Sequence, residues 1–289
     1  MIKKCLLVLF AAAVAVPWGA RPAAAIANGQ DAAPGDYRFS VRLTMTGLPA
    51  DDGGSRDSSC SGALIAPRWV ITAGHCFRDA DGRRVSRTVA ERTTAVVGRA
   101  DLSSTDGAET EVVAVHQADD TDVALAELAT DITGITPIRL ATTGPVAGEI
   151  LRLTGFGLVT GDSGYVAPTR MQTGLFTVGS VGTTLVEASG RSPRPDTSPC
   201  PHDSGGPYFR ESPGREPVLV ALVSTGPGCP HPGPDFSARV DNLNDWVTAT
   251  MSGRPTVRAL GMAAAALATL TVLAVLFVRR RAATAADRR

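Results

Sequence analysis

The chain has 289 residues, with 28 basic and 28 acidic side chains and a formal net charge of zero. This length allows one large domain or two modest ones. The balanced charge and the lack of a basic stripe exclude a nucleic-acid-binding protein from the expected classes.

The first 25 residues have the order of a secretory signal peptide. Lys3 and Lys4 precede an apolar run over residues 5–16, and three alanines end the segment at 23–25. The apolar run has about 12 residues, fewer than the roughly 20 that a membrane span requires. We therefore expect residues 1–25 to be removed during export, with an uncleaved anchor as the alternative.

The region 26–251 is predicted to be one all-β domain. Short runs rich in Val, Ile and Thr lie between clusters of Gly, Pro, Asp and Ser, which is typical of strands joined by turns. Two long polar loops are expected, at 46–59 and 189–199. The predicted strands lie at 40–43, 63–65, 69–72, 94–97, 111–115, 150–154 and 218–224.

One helix is predicted near the end of this region, over residues 242–251. An Asp-Asn pair supplies a candidate cap, and Leu243, Trp246 and Val247 share one face. We therefore expect a sandwich or barrel that ends in a short amphipathic helix.

The last predicted element is a membrane span over residues 259–278. This stretch has no charged residue and is about 20 residues long, the length that crosses a hydrocarbon core. Three arginines follow at 279–281, and positive charge beside a span is typical of its cytoplasmic side. We expect a linker at 252–258, a single span that tethers the domain outside the membrane, and a basic cytoplasmic tail at 279–289. A buried globular helix is the alternative.

The cysteines favour an oxidising compartment. Cys5 belongs to the predicted signal peptide, which leaves Cys60, Cys76, Cys200 and Cys229. An even number in an exported domain indicates two disulfides, with three possible pairings. None of the cysteines has the spacing of a zinc site, and we expect no metal and no cofactor.

Three short segments point to nucleophilic catalysis. They contain His75 in Ala-Gly-His-Cys, Asp122 in Asp-Val-Ala-Leu, and Ser204 in Asp-Ser-Gly-Gly-Pro. A serine hydroxyl needs a base to take its proton, and histidine has a suitable pKa. A carboxylate fixes the histidine tautomer and stabilises the imidazolium. Each segment alone is more often a turn or a strand boundary, but the third, which follows a cysteine, is specific.

Together these segments resemble the chymotrypsin/trypsin family of serine proteases. The order His75, Asp122, Ser204 is that of the family, and the likeness runs over residues 26–251. It implies two six-stranded antiparallel β-barrels, a short C-terminal helix, and a monomeric endopeptidase that cleaves protein or peptide substrates through an acyl-enzyme. The alternatives are a catalytically inactive protease-like binding module and an α/β-hydrolase. The latter has the order Ser, acid, His, which is absent here.

The resemblance also implies roles for further residues. The backbone amides of His202 and Ser204 form the oxyanion hole, and a free amine on Ile26 pairs with Asp203. Ser224 hydrogen-bonds Asp122. The implied disulfides are Cys60–Cys76 and Cys200–Cys229, and the implied substrate-binding residues are Ser198, Ser224, Thr225, Gly226 and Asp235.

The start of the predicted domain indicates how it is activated. Ile26 directly follows the three alanines, so one signal-peptidase cut releases the signal peptide and also creates the activating amine. We expect no separate propeptide, with a short prosegment trimmed later as the alternative. The signal peptide, single span and Ala- and Arg-rich composition indicate a bacterium of high-GC genome, and the sequence leaves shedding from the membrane open.

Three positions bear on how far the family pattern holds. His202 stands where the family has Gly, and a Cβ there resists conformations that glycine allows. This predicts either reduced activity or a loop that tolerates His, with a contact to substrate beyond the scissile bond as the rival role. Ser198 stands where family members that prefer basic residues carry Asp, and a serine there favours apolar substrate side chains. Asp235, on the second wall of the specificity pocket, favours Lys or Arg. We expect a basic or mixed preference.

Overall fold

The computed structural model describes residues 26–50, 53–161 and 164–253, without the side chains of 159–161. The predicted signal peptide, membrane span and cytoplasmic tail lie outside these ranges, as does the predicted linker after its first two residues. Among the described residues, no helix has the length and hydrophobicity needed to cross a bilayer.

The first half of the described chain forms a closed antiparallel barrel. Its six strands pair in the order β2-β3-β4-β7-β6-β5, and the short β1 joins the other half of the molecule. In β2, Val41, Leu43 and Met45 are buried while Arg42 and Thr44 are only partly so, as expected of a strand with one face in a core. The strands are β1 (Gln30–Asp31), β2 (Ser40–Pro49), β3 (Ser55–Ala66), β4 (Trp69–Ala73), β5 (Arg92–Val97), β6 (Ala108–Gln117) and β7 (Val123–Leu128).

The second half forms another barrel and ends in a helix. Its elements are β8 (Arg139–Leu140), β9 (Ile150–Gly155), β10 (Val159–Gly161), β11 (Gly164–Val166), β12 (Gln172–Val181), β13 (Leu185–Ser192), β14 (Pro207–Ser212), β15 (Arg215–Thr225), β16 (Pro234–Arg239) and α1 (Asn244–Met251). The six-stranded ring β9-β12-β13-β16-β15-β14 closes because β9 pairs with both β12 and β14. β1 adds to β12, β8 pairs with β15, and β10 and β11 form a separate hairpin. The two six-stranded barrels expected from the sequence are confirmed.

A shared apolar core joins the two barrels. Ile71 and Leu125 from the first barrel pack in one cluster with Phe209 and Leu222 from the second. Burying a side chain of this size contributes about 1.5–3 kcal/mol. Because the barrels share this core, the loops at their common edge are held in fixed relative positions.

The helix α1 covers one end of this shared core. Val247 is buried in the cluster, and Leu243 and Trp246 pack against it, as the predicted apolar face requires. The helix begins two residues later than predicted, at Asn244, and the predicted Asp-Asn cap is wrong: Leu243 is the cap residue and makes no side-chain cap bond.

The first predicted polar loop is largely strand, and the second is strand only over its first four residues. β2 and β3 continue until only five residues separate them, so most of segment 46–59 is a hairpin, and β13 extends to Ser192. Backbone pairing of Thr44 with Ser59 and of Met45 with Ser58 stabilises these polar residues in strands. Polar composition at a solvent-facing barrel rim therefore does not indicate a loop.

Candidate active site

The edge where the barrels meet brings His75, Asp122 and Ser204 together. His75 lies in the 3-10 helix Gly74–Cys76 after β4, Asp122 directly precedes β7, and Ser204 lies in the loop before β14. His75 Nε2 is 2.7 Å from Ser204 Oγ, and His75 Nδ1 is 2.7 Å from Asp122 Oδ2. Both distances are those of hydrogen bonds, so the serine proton can pass to an imidazole whose other nitrogen faces a carboxylate.

Asp122 is held in its ionised form by donors on two sides. The backbone N–H of His75 donates to Oδ1 at 2.8 Å, and Ser224 Oγ donates to Oδ2 at 2.6 Å. Burial raises the pKa of Asp122, but the hydrogen bonds and charge of His75 and the bond from Ser224 outweigh this and lower it to about 2. The carboxylate therefore accepts a hydrogen bond from the N–H at His75 Nδ1, and Nε2 is left free to act as a base.

Arg84 is a neighbour of this carboxylate that the sequence reasoning missed. Its Nη1 lies 3.9 Å from Asp122 Oδ1 and donates to the carbonyl of Thr121. The Arg84 backbone pairs with that of Arg78 in an isolated bridge. No motif surrounds Arg84 in the sequence, since a tertiary pairing alone brings it to the site.

The loop before Ser204 contains a left-handed residue that is not glycine. His202 has φ of +79°, a conformation that glycine adopts without strain. Its Nδ1 hydrogen-bonds Ser59 Oγ at 2.8 Å, and its carbonyl accepts a bond from Ser61 Oγ at 3.2 Å. The backbone therefore has the glycine-like conformation despite the Cβ, which agrees with a loop that tolerates His.

The amides of His202 and Ser204 are available to a ligand. Neither N–H donates to an acceptor within the part of the chain that the structure describes, whereas the N–H of Asp203 between them donates to Cys200 O at 3.0 Å. Two unpaired amides beside a nucleophile are the arrangement that binds an oxyanion.

The imidazole of His202 is a separate matter. Burial, together with the charges of Arg42 and Arg56, lowers its pKa.

Ile26 and Asp203 lie in the interior, both with zero exposure. Ala27 and Ser198 exchange backbone hydrogen bonds of 2.9 and 3.2 Å, which fix the N-terminal segment against the loop that leads to Ser204. Asp203 accepts bonds from the backbone N–H of Gly157 at 2.7 Å and of Cys200 at 2.8 Å. Burial nevertheless raises the pKa of Asp203 to about 7.

A cavity of about 320 Å³ opens beside Ser204, with Gly226 and Asp235 among its lining residues. Asp235 is only 3% exposed, and a Cβ at Gly226 would overlap its Oδ1, so only glycine fits at that position. Ser198 is fully buried, and its Oγ accepts a bond from the backbone N–H of His231 at 3.2 Å.

His231 is a second residue that sequence reasoning missed. Its Nε2 lies 3.3 Å from Asp235 Oδ1. The signal was present, because His231 lies four residues before Asp235 and between two prolines, Pro230 and Pro232. Without the fold, nothing indicated that its side chain turns toward the cavity wall.

A larger cavity of about 650 Å³ lies on the other side of the imidazole. Its lining includes His75, Arg84, Ser224 and Thr225. The end of β15, with Ser224 and Thr225, therefore runs between the two cavities, and Thr225 and Gly226 are exposed there. Exposed backbone along this rim can pair with an extended peptide.

Two disulfides, Cys60–Cys76 and Cys200–Cys229, tie the site to its scaffold. These are the pairings that the resemblance implies. The first joins β3 to the 3-10 helix that carries His75. The second joins the loop of Ser204 to the segment that carries His231.

Two antiparallel six-stranded barrels with a serine, a histidine and an aspartate converging at their junction define a serine protease domain of the trypsin-like class. The Trypsin family model matches residues 26–247, and the chain belongs to this family.

Individual relatives agree with this membership. The chain is 28% identical over 263 residues to Serine protease 56 of Mus musculus, covering 81% of this chain and 40% of that protein. It is 28% identical over 291 residues to Chymotrypsin-like elastase family member 3B of Homo sapiens, covering 87% of this chain and 99% of that protein. The chain thus spans about two fifths of the length of the first relative.

The fold is also that of a solved structure, neuropsin, a serine protease expressed in the limbic system of mouse brain. The TM-score is 0.60 at 21% identity, over 77% of this chain and 98% of that chain. At this identity the likeness shows the fold.

Proposed function

We propose that this domain is a serine endopeptidase that hydrolyses peptide bonds through an acyl-enzyme. The observation that carries the proposal is the continuous chain of hydrogen bonds from Ser204 Oγ through His75 to Asp122, 2.7 Å at each step. Membership of the Trypsin family supports it.

In the proposed mechanism, Ser204 Oγ attacks the scissile carbonyl as His75 Nε2 takes its proton. The amides of His202 and Ser204 stabilise the oxyanion, and loss of one such donor typically costs roughly 10²–10³ in rate. His75 then protonates the leaving amine, and water hydrolyses the acyl-enzyme by the same steps. Asp122 holds the His75 tautomer and stabilises the imidazolium throughout.

Substrate binding is proposed along the rim between the two cavities. The backbone of Ser224, Thr225 and Gly226 adds the substrate as an extra strand, and the side chain before the scissile bond enters the cavity of about 320 Å³. The carboxyl group of Asp235 in that cavity wall favours basic residues, whereas Ser198 favours apolar ones. The proposed preference is therefore basic or mixed.

We propose that the mature domain begins at Ile26 and that its free amine pairs with Asp203. The pocket around Asp203 supports this, because a buried carboxyl with a raised pKa gains from a cation. A start at another residue, read by N-terminal sequencing of the mature protein, would contradict the proposal.

Export by residues 1–25, tethering by residues 259–278 and a bacterial source are proposed from sequence patterns alone. Fractionation of the expressing cells, followed by protease accessibility of the domain from outside, tests this topology. A domain found only inside the cell would contradict it.

The rival proposal is an inactive module that binds a partner. Labelling of the full chain with a serine-reactive fluorophosphonate separates the two. We expect the wild type and the control Ser252→Ala, at an exposed serine after α1, to label, and Ser204→Ala to lose both labelling and peptide cleavage. A folded wild-type protein that does not label would favour the binding module.

A further inference from the structure

We propose that His231 is a positioning residue for the specificity pocket. By donating from Nε2 to Asp235 behind the pocket wall, it makes the choice between basic and apolar substrate residues depend on pH. This inference rests on the proposed function and concerns the same site.

The geometry around Asp235 is that of an incompletely satisfied carboxyl group. Its side chain is 4% exposed, and Oδ1 lies 3.3 Å from His231 Nε2. Oδ2 has no hydrogen-bond partner within the described part of the chain. Because Asp235 lines the cavity beside Ser204, a cationic side chain that enters there meets its carboxyl group.

His231 is held in place from two directions. Its side chain is 9% exposed, and its backbone N–H donates to Ser198 Oγ at 3.2 Å. The flanking residues Pro230 and Pro232 each have a fixed φ, which limits movement of the segment. These contacts restrict movement of the backbone that carries the ring.

The other titratable groups near Asp235 are acids. Asp203 faces it from the loop of Ser204, and Tyr208, whose own pKa is raised by burial and then by the charges of Asp235 and Asp203, faces it from β14. Among the described residues, no arginine forms an ion pair with Asp235, and His231 is its one basic contact.

These surroundings favour a neutral pocket at neutral pH. Burial, together with the charge of Asp203, raises the pKa of Asp235 to about 8. Burial lowers the pKa of His231. Asp235 is therefore uncharged below about pH 8, and His231 is uncharged at neutral pH, so an apolar side chain meets no charge in the cavity at neutral pH.

A basic side chain requires a different state of the same pair. An Arg or Lys residue in the cavity needs Asp235 as the anion, and that anion accepts a hydrogen bond from His231 Nε2–H at Oδ1. Binding then releases one proton that an apolar residue does not release. The preference for basic over apolar residues should therefore rise about tenfold per pH unit below the pKa of Asp235 and level off above it.

The test compares two peptide substrates that differ only in having Arg or Leu before the scissile bond. The ratio of their kcat/KM values is measured with the full chain from about pH 5.5 to 9.5. Ionisations that affect only the chemical steps shared by the two substrates cancel in the ratio. For wild type we expect the ratio to rise by more than about tenfold and to level off near pH 8, the pKa of Asp235.

Three variants assign the effect to the pair. His231→Phe removes the donor, so we expect the levelling-off to move up by about one pH unit and the Arg rate to fall more than the Leu rate. His231→Gln restores an uncharged N–H donor and should move the levelling-off back toward the wild-type pH. Asp235→Asn should make the ratio independent of pH. The Leu rate reports folding, and His231→Met, which also lacks a donor, replaces a Phe variant that fails to fold.

The outcomes separate this inference from the proposed function. A wild-type protein that labels with fluorophosphonate but has a ratio independent of pH overturns the inference alone. An unchanged levelling-off in a folded His231→Phe variant does the same. A protein that neither labels nor cleaves either substrate overturns the proposed function and the inference with it.

Discussion

His202 has a left-handed backbone, with φ of +79°, while carrying an imidazole at the position where the family resemblance implies a glycine. The Cβ costs energy in this region, on the order of 1–2 kcal/mol for most residues. The bonds to Ser59 and Ser61 hold the loop in this conformation. The amide consequently keeps the direction that a glycine would give it.

We therefore expect His202→Gly to change kcat far less than the roughly 10²–10³-fold effect of losing an oxyanion donor. The matched variant His202→Ala keeps the strained Cβ and loses the ring contact with Ser59, so it should be less stable than the glycine variant by about 1 kcal/mol. Steady-state kinetics and thermal unfolding measure the two effects. A large gain in kcat for His202→Gly would contradict this account and indicate that the histidine misaligns the amide.

Among single residues, the sequence predicts those site residues that lie in short motifs. His75, Asp122 and Ser204 each lie in such a segment, and a shared need for proton transfer connects them. Arg84 and His231 lie in segments without a motif, and they reach the site because the chain pairs Arg78 with Arg84 and turns at two prolines. Their placement depends on tertiary contacts that no local pattern encodes.

The N-terminal element, with β1 and Ile26, is a small addition to the second barrel, but it lies against a pH-sensitive carboxyl group. An exposed aspartate has a pKa of 3.8, and burial raises the pKa of Asp203 to about 7. Between these pH values a folded chain whose Ile26 nitrogen is still a peptide amide keeps a proton on Asp203 that the unfolded chain releases. Folding then takes up a proton, so the free energy of unfolding falls as pH rises through this window.

We expect a form that carries one extra residue before Ile26 to lose on the order of a few kcal/mol of stability between about pH 5 and pH 8. A form that begins at Ile26 should lose less, because its amine stabilises the Asp203 anion. Both forms would carry Ser204→Ala to prevent self-cleavage, and thermal unfolding at each pH gives the comparison.

Burial of Asp235 is the same in both forms, so the part of its raised pKa that burial causes cancels in that comparison. Asp203→Asn in the extended form should remove most of its excess pH dependence. Equal pH dependence in the two forms would show that the Ile26 amine and Asp203 do not interact.

At the scale of the elements, the sequence correctly predicts strands that have an alternating apolar face. It wrongly predicts loops where the ends of the strands are polar. The polar stretch from Ser55 to Ser59 belongs to β3, where backbone pairing with β2 outweighs composition. The start of α1 was misplaced because the predicted cap residues use their side chains elsewhere: Asp241 accepts from Arg239 at 3.0 and 2.8 Å, and Asn242 donates to Thr183 O at 3.3 Å. Both errors arise where a tertiary partner replaces the local interaction that the pattern assumes.

The whole molecule depends on the apolar contact between its two barrels. Phe209 has zero exposure, and its ring lies 5.1 Å from Phe39 and 5.3 Å from Tyr37. His75 and Ser204, the proposed catalytic pair, come from opposite barrels, so their 2.7 Å hydrogen bond depends on this packing.

We expect Phe209→Ala to destabilise the domain by about 3–5 kcal/mol and to lower kcat in the fraction that stays folded. Phe236→Ala, at a ring that is 38% exposed in the same barrel, is the matched control and should change stability much less. Chemical denaturation followed by tryptophan fluorescence measures both. Equal losses for the two variants would show that the interface contact is not what stabilises the domain.

The division of the site between the barrels has a consequence for the cell that makes the protein. A ribosome delivers the base and its carboxylate first, and the nucleophile only when about four fifths of the described chain has emerged. On the proposed mechanism, no nascent or truncated chain that lacks the second barrel can attack a peptide bond. The order of translation thus protects the producing cell from a half-made enzyme.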